Sequence, residues 1–287
     1  MCGITGFIQT RNTEGYLLNH TIQRMTEELY HRGPDDCGLW VDSEAGVALG
    51  HRRLSIVDLS LHGHQPMASR DGRFVLVYNG EVYNHKEIRC RLEKEEGEVP
   101  WRGHSDTEVI LEAIRFYGLL KAVCLFTGMF AFALWDRREK TLSLVRDRMG
   151  EKPLYYGWQG SCFLFASELK ALRKHHAWKG EIDRDSLALY LRYSAVPAPF
   201  SIYKNIAKLR PGTILQLIHP YSPDSLNIHF YWSLGDVVTA GMENSFSGSP
   251  EEAEQQLESL LRQSIKQQMV ADVPLGAYLS GASWKPD

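Results

Sequence analysis

Apolar positions recur with a period near two over residues 4–8, 73–78, 129–135, 141–145, 162–166 and 213–218, the signature of strands. Between these runs the period lengthens to that of a helix. Residues 105–117 put Val109, Ile110, Ala113, Ile114 and Tyr117 on one face, Ser105 and Glu108 have the spacing of a capping box, and Gly118 supplies the stop. A second helix is expected over residues 21–30, with Asn19 or Thr21 as its cap and Ile22, Met25 and Leu29 on one side. Strands in groups with helices flanking them predict an α+β fold, two stacked sheets between helical layers.

The pattern changes at residues 235–249, where Gly241, Asn244, Ser245, Ser247, Gly248 and Ser249 read as a linker between a first domain (1–234) and a new unit (250–287). Ser249-Pro250-Glu251-Glu252 is a helix start, and Ala253, Leu257, Leu260, Leu261, Ile265 and Met269 trace the apolar face that follows. A strand is expected over 273–279. One helix and one strand bury no core of their own, so the tail is expected either to pack on the first domain or to be a fragment of something larger, the second being favoured.

Composition narrows the function. The 287 residues carry a formal charge of −3, which gives no electrostatic reason to expect nucleic acid or an anionic membrane as partner. No run approaches the roughly 18 apolar residues of a membrane span, and the N-terminus lacks a basic leader, so a cytoplasmic protein acting on small molecules is expected. The five cysteines are scattered without a CxxC pair. His62-Gly63-His64 and His175-His176 lack the spacing of a zinc helix and read as non-metal positions, and neither a GxGxxG nor a Walker-type phosphate loop occurs.

Four features could carry chemistry. Removal of Met1 would give Cys2 a thiol and a free α-amine, and an amine titrating near 7.7–8.0 can accept the thiol proton; the plain alternative is a small residue at a processed terminus. Asn79-Gly80 at a strand end is first a hairpin signal, yet an amide and a glycine N–H are also oxyanion-hole donors. Arg52 and Arg53 lie in an apolar stretch, where a guanidinium needs an anion: a substrate carboxylate, or equally a structural Asp or Glu. Asp106 in the first turn of its helix either caps it or binds an ammonium.

In their order along the chain, these signals resemble the class II glutamine amidotransferase domain of glutamine-hydrolysing asparagine synthetases, which are N-terminal nucleophile hydrolases. The likeness is carried by Met1-Cys2-Gly3-Ile4, His31-Arg32-Gly33-Pro34-Asp35, Arg53-Leu54-Ser55-Ile56-Val57-Asp58, Gln65-Pro66-Met67, Tyr78-Asn79-Gly80-Glu81-Val82-Tyr83-Asn84, Ser105-Asp106-Thr107-Glu108, Gly128-Met129-Phe130-Ala131-Phe132-Ala133, the run from Arg146 to Tyr155, and Phe165-Ala166-Ser167-Glu168. The resemblance implies a four-layer αββα sandwich with a short, incomplete C-terminal α/β segment. It implies that Cys2 attacks the side-chain amide of glutamine and forms a glutamyl thioester, with Asn79 and Gly80 as oxyanion hole. Arg53 would hold the α-carboxylate and Asp106 the α-ammonium, with Glu81, Val57 and the backbone carbonyls of Leu54 and Ile56 completing the pocket. Glutamine hydrolysis would need no cofactor or metal.

The likeness fades at the end of the chain, where a second Gly of the family's pyrophosphate-binding loop is Ala282 in Ser280-Gly281-Ala282-Ser283. ATP and Mg belong to a complete synthetase domain, so a truncated glutaminase half is expected. Its rivals are a non-catalytic remnant that still binds glutamine, and a subunit feeding ammonia to a separate synthetase chain. A homodimer is the family-like guess; asparagine is the default product of the parent, with amidation of a sugar acid as a lesser option.

Overall fold

The computed structural model describes residues 1–10 and 15–276. In chain order its elements are β1 (Gly3–Gln9), α1 (Gly15–Glu27), β2 (Asp36–Asp42), β3 (Val47–Arg53), β4 (Met67–Ala68), β5 (Phe74–Val82), α2 (His85–Glu96), α3 (Asp106–Tyr117), α4 (Leu119–Leu125), β6 (Gly128–Asp136), β7 (Thr141–Arg146), β8 (Tyr155–Gln159), β9 (Cys162–Ala166), α5 (Leu169–Leu172), α6 (Arg184–Tyr193), β10 (Ile206–Lys208), β11 (Thr213–Ile218), β12 (Leu226–Phe230), α7 (Leu234–Glu243) and α8 (Pro250–Gln268).

Two six-stranded sheets result, ordered β10-β8-β9-β1-β3-β2 and β12-β11-β7-β6-β5-β4, and each strand pair is antiparallel. Alternation along the central strands sorts their side chains into layers. Ile4 and Ile8 of β1, Phe163 and Phe165 of β9, Val75 and Val77 of β5, and Ala133 and Trp135 of β6 meet between the sheets. The opposite faces are covered too: Phe7 and Leu164 pack with Leu18, Ile22 and Met25 of α1, while Leu76, Phe130 and Phe132 pack with Val109, Ile110 and Ile114 of α3. Burying each Val, Leu, Ile, Phe or Met side chain among these contributes about 1.5–3 kcal/mol. The expected four-layer αββα sandwich is what forms.

Three local expectations need correction. Asn79-Gly80 is no hairpin: both residues lie inside the nine-residue β5, opposite Ala131 and Phe130 of β6. The α1 helix begins at Gly15, so Asn19 and Thr21 are interior rather than caps, and a short 3-10 turn at Tyr30–Arg32 follows it. Ser105 caps α3 through Thr107 N, but Glu108 does not close the box; its carboxylate accepts from Arg102 N and Gly103 N instead.

The stretch read as a linker carries helix α7. The Ser249–Glu252 capping box forms as expected, and α8 exposes Leu257, Leu260, Leu261, Ile265 and Met269. Residues 273–276 form no strand, and the remainder of that expected strand, with Ser280-Gly281-Ala282-Ser283, lies outside the described residues. Among the described residues, no helix is long and apolar enough to cross a membrane.

Candidate functional site

The site lies where the start of β1, the end of β3, the end of β5 and the first turn of α3 converge. Antiparallel pairing sets Gly3 against Arg52, so the chain leaving β3 runs past Cys2. Leu54 N donates to Cys2 Sγ at 3.4 Å, and the thiol lies 3.7 Å from Leu54 O. Arg32 Nε holds the Cys2 carbonyl at 2.9 Å and is braced by Glu168 at 2.8 Å. Burial pushes the Cys2 thiol above its ordinary value, and the Leu54 hydrogen bond opposes this only in part. Burial also lowers the amine of Met1, which caps Cys2 in this structure.

The side of β5 left open beyond its short pairing with β4 explains the oxyanion candidates. Tyr78 N donates to Gln65 Oε1 at 2.7 Å and Val82 N to Asp106 Oδ2 at 2.9 Å. Backbone donors of alternate residues point the same way, so Gly80 N–H lies between these two and faces the cavity. Phe130, opposite Gly80, is engaged elsewhere, through its N to Asp147 Oδ2 and its O to Asp147 N. A Cβ on Gly80 would lie 2.2 Å from Met129 O. The amide of Asn79 is buried with neither Oδ1 nor Nδ2 bonded within the protein, an expensive state unless a ligand completes it.

Arg53 is buried, and its guanidinium bonds to carbonyls rather than to a carboxylate: Nη1 to Ser60 O at 2.9 Å, Nη2 to Val57 O at 3.4 Å and to Asp58 O. The structural ion pair open at the sequence level is thus not the one formed. Asp106 is equally buried and accepts from Tyr78 Oη and Val82 N. Burial raises its carboxyl above the ordinary value, against those hydrogen bonds. Glu81 is also raised by burial, and Lys152 is lowered by burial with Glu81 opposing.

Cys2, Arg53, Leu54, Ile56, Val57, Asn79, Gly80, Glu81 and Asp106 all line one cavity of about 160 Å³. The nine residues that the resemblance assigns to the site are therefore brought together, whereas Arg52, the other arginine offered by the sequence, is not among the lining and lies over the Tyr30 ring. The Ile56 carbonyl already accepts from Asp272 N at 2.8 Å, although an amide oxygen can accept a second bond. Gly63, Gln65, Tyr78, Thr107 and Lys152 line the same cavity without having been picked out. Gln65, Tyr78, Thr107 and Lys152 sit in runs that carry the resemblance, which was the available signal; Gly63 lies in none.

Cys162, His175 and His176 bring potential ligand atoms within 4.8 Å of one another. Nδ1 of His175 accepts Ala177 N–H at 3.1 Å and the two histidine rings are stacked.

Residues 1–232 match the family described as glutamine amidotransferase domain, and residues 256–281 match asparagine synthase. The glutamine-hydrolyzing asparagine synthetase 3 of Bacillus subtilis (strain 168) is 36% identical over 291 residues, covering 98% of this chain and 43% of the relative. Amidase chry2 of Gibberella zeae is 32% identical over 294 residues, covering 98% of this chain and 41% of its own. The chain spans about half the length, or less, of the curated relatives it matches. Among solved structures, the glutamine phosphoribosylpyrophosphate amidotransferase of B. subtilis superimposes with a TM-score of 0.55 at 17% identity, over 80% of this chain and 49% of that one. A structure described as the allosteric regulatory enzyme of purine biosynthesis gives 0.58 at 18% identity, over 80% of this chain and 49% of that one. At such identities the likeness speaks for the fold alone, two stacked sheets between helical layers. With the family matched over its first 232 residues, the chain belongs to the glutamine amidotransferase domain family and has asparagine synthetases among its relatives.

Proposed function

We propose that the chain hydrolyses glutamine to glutamate and ammonia through a thioester on Cys2. The observation that carries this reading is a single cavity holding a buried guanidinium without a carboxylate partner, a buried carboxylate without a cationic one, a thiol, and a buried amide with no bond in the protein. That set is complementary to a zwitterionic amino acid with an amide at its far end.

Removal of Met1 frees the Cys2 amine, which takes the thiol proton. The thiolate adds to the glutamine δ-carbon, and the developing oxyanion receives Asn79 Nδ2–H and Gly80 N–H. Collapse breaks the C–N bond, the α-ammonium returns its proton to the leaving nitrogen, and ammonia departs. Water, deprotonated by the same amine, then cleaves the thioester and releases glutamate. Arg53 pairs with the α-carboxylate, while Asp106 and Glu81 face the α-ammonium; Leu54, Ile56 and Val57 close the wall. Atoms balance with glutamine and water alone, and no step involves ATP or magnesium.

Residues 250–287 read as the start of a synthetase domain, joined to residues 1–234 through 235–249. Ammonia passes in this reading to an ATP-dependent amidation, of aspartate as the relatives' names suggest, carried out by further synthetase sequence or by a separate chain. The test is glutamate release by the purified chain, with intact mass reporting Met1 loss and Cys2→Ala as control. Turnover absent from the control supports the reading; a folded chain with free Cys2 and no turnover overturns it and leaves glutamine binding without catalysis.

A further inference from the structure

The turn that holds Arg53 is itself held from a distant part of the sequence. Asp58 is fully buried, has a φ of 57°, and has every polar group engaged. Its carbonyl accepts from Arg53 Nη2, Oδ1 accepts from Ser60 N at 3.1 Å, and Oδ2 accepts from His104 N at 3.0 Å. A left-handed conformation at a non-glycine residue persists only where its surroundings over-determine it. The remaining group, Asp58 N–H, donates to Asp272 Oδ2 at 2.7 Å. Asp272 N in turn donates to Ile56 O at 2.8 Å, and its carboxylate meets His104 Nε2 at 2.9 Å. Asp272 thus clamps both ends of the 56–58 turn, and two residues of that turn, Val57 and Asp58, carry carbonyls on which the Arg53 guanidinium rests.

We propose that Asp272 is a positioning residue for glutamine: docking of the segment around it fixes the turn at residues 56–58, and with it the place of Arg53, without touching the reacting atoms. The inference rests on the reading that Arg53 holds the α-carboxylate. It links the amidotransferase pocket to the part of the chain that matches asparagine synthase, since Asp272 lies within residues 256–281. A displacement of that segment loosens the pocket, and bound glutamine favours the docked segment by the same factor. The Asp272 side chain is 42% exposed, so shortening it opens no cavity.

The experiment measures glutaminase kinetics of the full chain and of Asp272→Ala and Asp272→Asn, with glutamine and with 4-aminobutanamide, which lacks the α-carboxylate. The expected result is a KM for glutamine raised about fivefold or more in Asp272→Ala, kcat within about twofold, and partial recovery in Asp272→Asn, whose amide oxygen can still accept from Asp58 N. Turnover of 4-aminobutanamide is expected to be unchanged. An unaltered KM, or a fall in kcat alone, overturns the proposal while leaving the glutaminase reading in place. Failure of the parent chain to turn over or bind glutamine overturns that reading, and this proposal with it.

Discussion

Tyr78 donates its phenolic hydroxyl to Asp106 Oδ2 across 2.7 Å, tying the part of β5 beyond β4 to the first residue of α3. The bond holds a carboxylate where burial opposes its charge, so Asp106 sets binding against stability. Its folded pKa lies above the unfolded value. The native state therefore favours the protonated carboxyl; this contribution is complete below the unfolded pKa and is lost as pH rises through the folded one. At neutral pH the ionised group costs stability. Asp106→Asn, which keeps an acceptor for Tyr78 and Val82, is expected to raise Tm at pH 7, with the gain fading in acid. The same variant is expected to raise the KM for glutamine about 100-fold, since the α-ammonium loses a buried counter-charge. Melting curves from pH 4 to 8 beside glutaminase kinetics check both, and a lower Tm at pH 7 would refute the account.

Asn79 presents the opposite balance. Its amide has no partner in the fold, so Asn79→Ala is expected to leave Tm unchanged or raised. If the amide donates to the oxyanion, kcat falls by about 10²–10³ with KM within a few-fold, because the interaction exists only in the transition state. A KM effect without a kcat effect would assign Asn79 to ground-state binding.

How far the sequence was legible divides along these same residues. The ends of α3 and α8 were readable because Ser105, Gly118 and Ser249 act within one turn of their own helices. Asn79-Gly80 was not readable as strand, because its local preference for a turn is overridden by pairing with Ala131 and Phe130, about fifty residues later. Glu108 likewise gave up its local cap for the backbone of Arg102 and Gly103. The helix at 234–243 lies inside a stretch whose glycines and serines favour a linker. Arg53, Asp106 and Cys2 carried types and positions that pointed to chemistry, but their meeting in one cavity is a product of the two-sheet packing.

Cys2 reactivity is expected to depend on Met1. With Met1 in place the half-buried thiol sits beside Leu54 and desolvation raises its pKa, so little thiolate exists at neutral pH. Exposed Cys37 is reached more easily, although partial burial raises it too. Brief iodoacetamide treatment at pH 7 of chain retaining Met1 is expected to label Cys37 ahead of Cys2, and peptide mapping after Met1 removal to show Cys2 labelling accelerated and blocked by glutamate. Equal Cys2 labelling in both forms would remove the amine from the mechanism.

Gly63 makes the most local demand on the pocket. It ends the short turn Leu61–Gly63, which Ser60 caps by accepting from His62 N. A Cβ there would lie 1.9 Å from Arg53 Nη2 and 2.5 Å from its Cζ. The side chain has to move, because the guanidinium is the end of a flexible stem while Gly63 sits in hydrogen-bonded backbone. Gly63→Ala is therefore expected to push Arg53 off the carbonyls of Val57, Asp58 and Ser60. The KM for glutamine should rise about 10- to 100-fold with kcat little changed, as befits loss of a charge-assisted contact made equally in ground and transition states. Turnover of 4-aminobutanamide, which offers Arg53 no carboxylate, should not respond. If both substrates lose activity in parallel, the added methyl has disturbed the cavity as a whole; an unchanged KM for glutamine would show that Arg53 is not the residue that reads the α-carboxylate.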